Sequence, residues 1–490
     1  MTRRTDDDGI TLVGGGIMSL TLGVLINEIF PDYPINLVER LGDISLESSG
    51  ALNNAGTGHA GYCELNYTPQ NKNGEINISR AININEMFEN SLEFWAYLES
   101  KYKSFDCKKF LKKTPHISFV KGDKNIKFLK SRFDSLKKQP LFKEIEFSDD
   151  PKKIHQWAPL LDFKNKKNET YAATKVEHGT DINFGEVSRQ LLNLLKKNKN
   201  FHLYTYSNVE KISLKKDGLV YLEVKNKINK TILNIKSNKI FIGAGGQSIP
   251  LLQKLGLKEA NGYAGFPVSG KWLICDKKSI VKRHNAKVYS QAFDNAPPMS
   301  IPHLDLRVIN GKHSLLFGPF AGFTFKFLKK GSNLDLPKSV KMNNIRSLII
   351  VFIKNLPLLF YLIKQSLMNH ASRMKQLRFF YEDAKDSDWK LLDAGKRVQI
   401  IKNCPFEGSK LEFGTEVIFS KNKTIAALIG ASPGASISAN AMSSVLLGMF
   451  GKKSNKKLKK IITTFEDDLN KSAKKVVTFR SNIYKQLGLW

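Results

Sequence analysis

Residues 10–19 read Ile-Thr-Leu-Val-Gly-Gly-Gly-Ile-Met-Ser, and no other stretch limits the possible folds of the chain so tightly. Ile10 to Val13 is short, apolar and β-prone, the composition of a strand buried on both faces of a parallel sheet. Gly14, Gly15 and Gly16 then allow a tight turn whose bare backbone can approach a pyrophosphate. The apolar spacing of Ile17 to Ile29 is that of a helix, with its N-terminus aimed at such an anion. Ile35-Asn-Leu-Val-Glu39 is the next strand, and its final carboxylate falls 23 residues after Gly16. That is close to the spacing of an acid that accepts from a ribose hydroxyl. Ser19 stands where the fingerprint has its third glycine, and it is small enough for close helix–strand packing. A glycine trio alone also arises in ordinary loops. The order strand, turn, helix, strand, acid predicts a bound dinucleotide and leaves NAD and FAD equally open.

Two later segments repeat this logic. Phe201–Tyr206, Val209–Ser213, Leu219–Val224 and Thr231–Ile235 are strand-like and lead to Lys239-Ile-Phe-Ile-Gly-Ala-Gly-Gly246, a second strand that ends in glycines. Near the C-terminus, Ile425-Ala-Ala-Leu-Ile-Gly-Ala-Ser-Pro-Gly434-Ala-Ser opens a mostly apolar helix over 437–450. Its free N–H groups and positive dipole end would stabilise negative charge. Three such turns suit a two-domain flavoenzyme whose nucleotide fold is split by insertions. Between them, 83–102 has amphipathic helical spacing, and 264–327 alternates as an antiparallel sheet does.

The net charge of +32 would ordinarily point to nucleic acid or an anionic surface. However, 13 of the 77 basic residues are Arg, which leaves 64 Lys, and many of these lie in turn-like runs. Solvated faces explain most of them, and no RNA-binding or zinc-finger pattern is present, so no nucleic-acid partner is expected. The four cysteines, Cys63, Cys107, Cys275 and Cys404, form no CxxC pair, which suits a reducing compartment without structural zinc. No metal site is expected. Met1 to Asp8 has no apolar run of the kind a secretory signal carries. Leu348–Ile353 and Leu358–Ile363 are apolar but too short to span a bilayer. Flanked by Lys341, Arg346, Lys354 and Lys364, they read equally as an interfacial segment or a core helix pair.

Several strings resemble malate:quinone oxidoreductases: Val13-Gly-Gly-Gly-Ile-Met-Ser19, Asn53-Asn-Ala-Gly-Thr-Gly-His59, Cys63-Glu-Leu-Asn-Tyr-Thr-Pro69, Gly265-Phe-Pro-Val-Ser-Gly270, Pro298-Met-Ser-Ile-Pro-His-Leu-Asp305, Phe317-Gly-Pro-Phe320, Arg397-Val-Gln-Ile-Ile401 and Gly430-Ala-Ser-Pro-Gly-Ala-Ser436. They run from about residue 10 to 440 in the family's order. Lys271 departs from the expected uncharged amide, and 345–363 is more apolar than expected. His59-Ala-Gly61 also resembles L-2-hydroxyglutarate oxidases, which act on a substrate one methylene longer.

The resemblance implies an α/β (α+β overall) flavoprotein of the glutathione-reductase/amino-acid-oxidase type, with a Rossmann-like FAD domain and an antiparallel substrate domain. The FAD domain is expected in three parts, 1–82, 181–255 and 396–450. The rest is expected as an inserted segment at 83–180, the substrate domain at 256–395 and a basic helical tail at 451–490. The implied activity is oxidation of (S)-malate to oxaloacetate with electrons passed to a membrane quinone, in the cytoplasm at the inner membrane surface. Expected FAD contacts are Gly14, Gly15, Gly16, Met18, Ser19, Glu39, Arg40, Asn54, Gly56, Thr57, Val209, Gly243, Gly245, Gly246, Gly430, Ser432, Pro433, Gly434 and Ala435. Removing the malate hydroxyl proton calls for a base, usually His, and two carboxylates call for Arg or Lys. Strand alternation puts His303, Asp305 and Arg307 on one face as base, orienting acid and clamp. His59, in a glycine-rich loop, competes as base and is preferred as a flavin neighbour. Arg397 and Lys326 are further carboxylate-binding candidates.

Overall fold

The computed structural model describes residues 2–6, 9–161, 169–291, 300–404, 408–430 and 434–490, with residues 2–6 as backbone alone. Three distant pieces of chain assemble one six-stranded sheet in the order Thr415–Phe419, Ile425–Gly430, Lys239–Ile242, Ile10–Val13, Ile35–Val38, Phe201–Tyr204. All neighbours are parallel except the edge strand Thr415–Phe419. Ile10–Val13 and Ile35–Val38 are buried along their whole length, because both sheet faces are covered. One face carries helices Ile17–Ile29, Phe184–Leu195 and Ser438–Phe450, which pack on one another. Against the other lies apolar surface from a four-stranded sheet of Thr2–Asp6, Ile232–Ser237, Val220–Asn226 and Ser207–Leu214.

The second large unit is a ten-stranded, mostly antiparallel sheet. Its centre is Arg397–Cys404, Ala264–Cys275, Lys312–Phe323, His303–Ile309 and Lys287–Tyr289, and His116–Lys121 pairs parallel to the last of these. Two details differ from the sequence reading. Arg397–Cys404 belongs to this sheet rather than to the nucleotide sheet. The C-terminal segment, expected as a basic helical tail, is tied into the body of the protein: helix Ala473–Gln486 packs on helix Ser79–Lys101, with Val476 and Tyr484 in the main core. Arg480 is buried there and donates to Glu89 and Tyr62, so the charge is paired inside the protein.

The apolar segment forms two helices, Ile345–Lys354 and Leu356–Leu367, bent by 79°. Among the described residues no single helix is long and apolar enough to cross a membrane.

Candidate active site

Two of the three nucleotide-sheet pieces, through the ends of Ile10–Val13, Ile35–Val38 and Lys239–Ile242, enclose a cavity of about 650 Å³. Gly14, Gly15, Gly16, Glu39, Arg40, Val209, Gly243 and Gly245 line it. Gly14 has φ +97°, and a Cβ there would come within 2.7 Å of the Gly243 carbonyl oxygen, so only glycine lets the two turns meet. Ser19 is fully buried, and any side chain at Gly243 would collide with its hydroxyl, so a small residue is needed on both sides of this contact.

Gly16 starts helix Ile17–Ile29 without a side-chain cap of its own; Ile17 N donates to Ser49 Oγ at 3.1 Å, and the following first-turn N–H groups are left for an anion. Glu39 accepts from Gly15 N and Leu41 N, both at 2.7 Å, and so fixes the turn as well as the cavity wall. Burial, opposed by those two bonds, raises its carboxyl above the ordinary value. Lys227, Lys254, Lys330 and Lys338 add positive charge around the rim. Uncapped amides, a cradle a Cβ would fill, and a buried acid at the second strand end fit the ADP half of a dinucleotide.

The other expected cofactor contacts divide. Asn54 organises the 45–59 loop, donating to Ser48 O and Gly50 O and accepting from Gly56 N. Thr57 shares a 2.8 Å hydrogen bond with the Tyr289 hydroxyl. Gly56 leaves room for Arg307, whose guanidinium a Cβ would strike. Gly246 packs against Phe327 and Val398 and is outside the large cavity. Gly430 (φ +86°) lies against Gly414 O, Met18 is packed near Gly434, and Ala435 packs on the core. Ser432 and Pro433 lie outside the described residues.

The loop that borders the large cavity at Ser45–Ser49 continues to a smaller one of about 210 Å³ at Ala55 and His59. This second cavity is rich in chemistry. His59, Glu64, Tyr67, Arg80, Tyr289, His303, Arg397 and Gln399 all line it. His303 Nδ1 lies 2.7 Å from Asp305 Oδ2, and its ring stacks on Tyr289 with centroids 4.1 Å apart. Burial pushes the Asp305 carboxyl up, but the charges of His303 and Lys287 outweigh it and hold it below the usual range. An ionised Asp305 can only accept, so Nδ1 carries a proton toward it, and in the neutral ring the lone pair falls on Nε2. His59 makes a matching pair with Glu64 at 2.5 Å. Burial of Glu64 is likewise outweighed, here by the hydrogen bond and charge of His59, and the net shift is downward.

Among the described residues, Arg397 has no carboxylate partner, and burial lowers its pKa. Arg80 sits 4.9 Å above the Tyr67 ring, and Gln399 Oε1 is buried without a hydrogen-bond partner. Two guanidinium groups and an unsatisfied amide around one small cavity suit a small polyanion.

Arg307 is placed differently from the sequence expectation. It shares the strand face with His303 and Asp305, yet it is fully buried outside the small cavity. Its guanidinium pairs with Asp181 and donates to Ile182 O and, at 2.7 Å, to Ala51 O. Lys287, also fully buried, bridges Asp181 at 2.9 Å and Asp305 at 3.8 Å. Two acids thus meet two cations, so Arg307 closes a charge network instead of offering a free clamp. Lys326 is half-buried and lines neither cavity. Sequence reasoning missed Arg80, Glu64, Tyr67, Tyr289 and Gln399. Glu64, Tyr67 and Gln399 lie inside strings already noted, whereas nothing near Arg80 marks it.

The sequence profile described as Malate:quinone oxidoreductase (Mqo) matches residues 6–489. The chain belongs to the malate:quinone oxidoreductase family. It is similar to a probable malate:quinone oxidoreductase of Tolumonas auensis, 50% identical over 442 residues, which cover 89% of this chain and 88% of that one. A second such protein, from Hahella chejuensis, is 46% identical over 485 residues, 98% of each chain. Among solved structures, the L-alpha-glycerophosphate oxidase of Mycoplasma pneumoniae, with FAD bound, has a TM-score of 0.59 at 14% identity, covering 92% of this chain and 96% of that one. The glycine oxidase of Bacillus cereus has a TM-score of 0.55 at 14% identity, covering 95% and 98%. At this identity the structural likeness speaks to the fold, and the family rests on the sequence matches.

Proposed function

We propose that this member of the malate:quinone oxidoreductase family oxidises (S)-malate to oxaloacetate with FAD and passes the electrons to a membrane quinone. The observation that supports it best is the small cavity, where two histidine–carboxylate pairs and the guanidinium of Arg397, without a carboxylate partner among the described residues, adjoin a dinucleotide cradle. When bound, the flavin supplies the acceptor for the C2 hydride and the route for electrons to the quinone.

The residues supply the remainder. Arg397 holds one malate carboxylate, and Arg80 closes on the other from the mouth, where its stacking on Tyr67 orients it. Gln399 Oε1, buried and without a hydrogen-bond partner among the described residues, accepts from an ordered water beside the substrate. His303 Nε2 takes the hydroxyl proton, while Nδ1–H stays on Asp305, which stabilises the imidazolium formed. His59 Nε2 is the second proton site, oriented by Glu64. Because a quinone resides in lipid, the protein works as a peripheral protein at the cytoplasmic surface of the membrane.

Anaerobic addition of malate to the purified holoprotein tests this. Bleaching of the flavin absorption band is expected, slowed in His303→Ala and Arg397→Ala at unchanged flavin content. Faster bleaching by L-2-hydroxyglutarate than by malate, or no bleaching by either, overturns it.

A further inference from the structure

We infer that the bent pair Ile345–Lys354 and Leu356–Leu367 is the face that seats the protein on an anionic lipid surface. The inner side of the pair is ordinary core: Leu348, Val351 and Leu362 are buried with Phe266, Val268 and Ala321. Its outer side is apolar too. Ile349, Ile353 (62% exposed), Leu356, Phe360 (66%), Ile363 and Leu367 (80%) face outward from a single elbow. A core helix pair has no reason to be apolar all round with one side open, and contiguous exposed apolar surface marks an interaction site.

The charges around this face choose the partner. No Asp or Glu occurs between Asp335 and Glu382, whereas Arg346, Lys354 and Lys364 lie on the two helices and Lys341 just before them. Apolar side chains with basic residues at their margins match a headgroup layer with acyl chains beneath it, and long lysines reach back to the phosphates. Glu412, on the strand beneath, is paired with Lys402 and Lys410. The pair cannot span: helices of 10 and 12 residues reach about 15 and 18 Å at 1.5 Å per residue, against a core of about 30 Å. With a 79° bend at Asn355, they lie in the interface instead.

The same strands link this face to the small cavity. Leu356–Leu367 packs on Lys312–Phe323, which carries Pro319 in the cavity wall. Ile345–Lys354 packs on Gly408–Glu412, through Ser347 and Ser409 at 3.1 Å, and that strand leads directly to Phe413 at the cavity lining. A lipid-borne acceptor would therefore meet the protein on the outer side of the strands that enclose the substrate. This last step rests on the proposed function; the lipid contact does not.

The test is flotation of the full-length holoprotein with phosphatidylcholine vesicles, with and without phosphatidylglycerol. Wild type should float with the anionic vesicles and detach at high salt. Ile353→Ser/Phe360→Ser and Lys354→Glu/Lys364→Glu should each weaken binding about tenfold or more. In all variants, malate-dependent reduction of a water-soluble dye should stay at the wild-type rate. Equal flotation of variants and wild type, or none by wild type, overturns the inference. So does size-exclusion evidence of a dimer that Phe360→Ser splits, because the face then covers a second copy. If malate fails to reduce the flavin while flotation behaves as stated, the catalytic reading falls and the lipid surface stands.

Discussion

Asp305 stands directly behind His303, with its Oδ2 2.7 Å from Nδ1, and the buried ammonium of Lys287 lies 3.8 Å from the same oxygen. The pair fixes both the ring orientation and the tautomer of His303. Asp305→Asn should leave flavin content intact and slow anaerobic flavin reduction by malate about 10²-fold. Stopped-flow absorbance measures it, and a rate within a factor of two of wild type would remove His303 from the proton-transfer role.

Arg397 and Arg80 differ in depth, and their variants should separate accordingly. Arg397→Ala, at the buried position, is expected to lower kcat/KM for malate by about 10²–10³-fold through loss of a charge-assisted pair. Arg80→Ala, at the exposed mouth, should act mainly on KM and by about tenfold. Steady-state kinetics over a malate series decides, and a larger effect at Arg80 would reverse the assigned order.

Arg307 should matter for stability more than for chemistry. Removing it leaves Asp181 buried with only Lys287 opposite, so Arg307→Ala should destabilise the fold by about 3–5 kcal/mol. Gly56→Ala should show a similar loss, because its Cβ would strike the same guanidinium. Thermal unfolding checks both. Flavin reduction per folded molecule should remain within severalfold of wild type in Arg307→Ala.

His116 and His284 are fully buried, and burial pushes both down to about 4 from 6.5. Each is therefore neutral when folded and takes a proton more readily when unfolded. Their contribution to stability is complete above pH 6.5 and is lost progressively as the pH falls toward 4, on the order of 3 kcal/mol each. Unfolding midpoints between pH 7 and 4.5 should fall in wild type, and less steeply in His284→Gln. Parallel curves would rule out His284 as a contributor.

Gly14→Ala should yield folded protein with little flavin, because the φ of +97° and the contact with Gly243 O exclude a Cβ. The ratio of flavin to protein absorbance measures it.

The nucleotide fold was legible in the sequence because its signals are local. Gly14 to Gly16, Gly243 to Gly245 and Glu39 each follow a short apolar strand, and backbone geometry demands those residue types at those places. His303 and Asp305 were legible for the same reason, since alternation along one strand fixes their common face. Arg307 obeys the same alternation, but its partner, Asp181, comes from a distant strand that periodicity cannot bring near it. Arg80 stands in the first turn of helix Ser79–Lys101, and only the assembled fold brings it to the small cavity. The strand Arg397–Cys404, expected in the nucleotide domain, joins the large sheet instead, because an apolar strand reads alike in either sheet. Which charges remain free for a ligand depends on long-range pairing, and that is a property of the assembled molecule.

The strand Ile425–Gly430 sits beside Lys239–Ile242 in the middle of the nucleotide sheet, and helix Ala473–Gln486 closes over helix Ser79–Lys101. A chain still emerging from the ribosome therefore has its first glycine turn long before it has a place to keep the coenzyme. Complete assembly of the nucleotide sheet must wait for this strand, and a chain truncated before residue 425 is expected to be colourless as well as inactive.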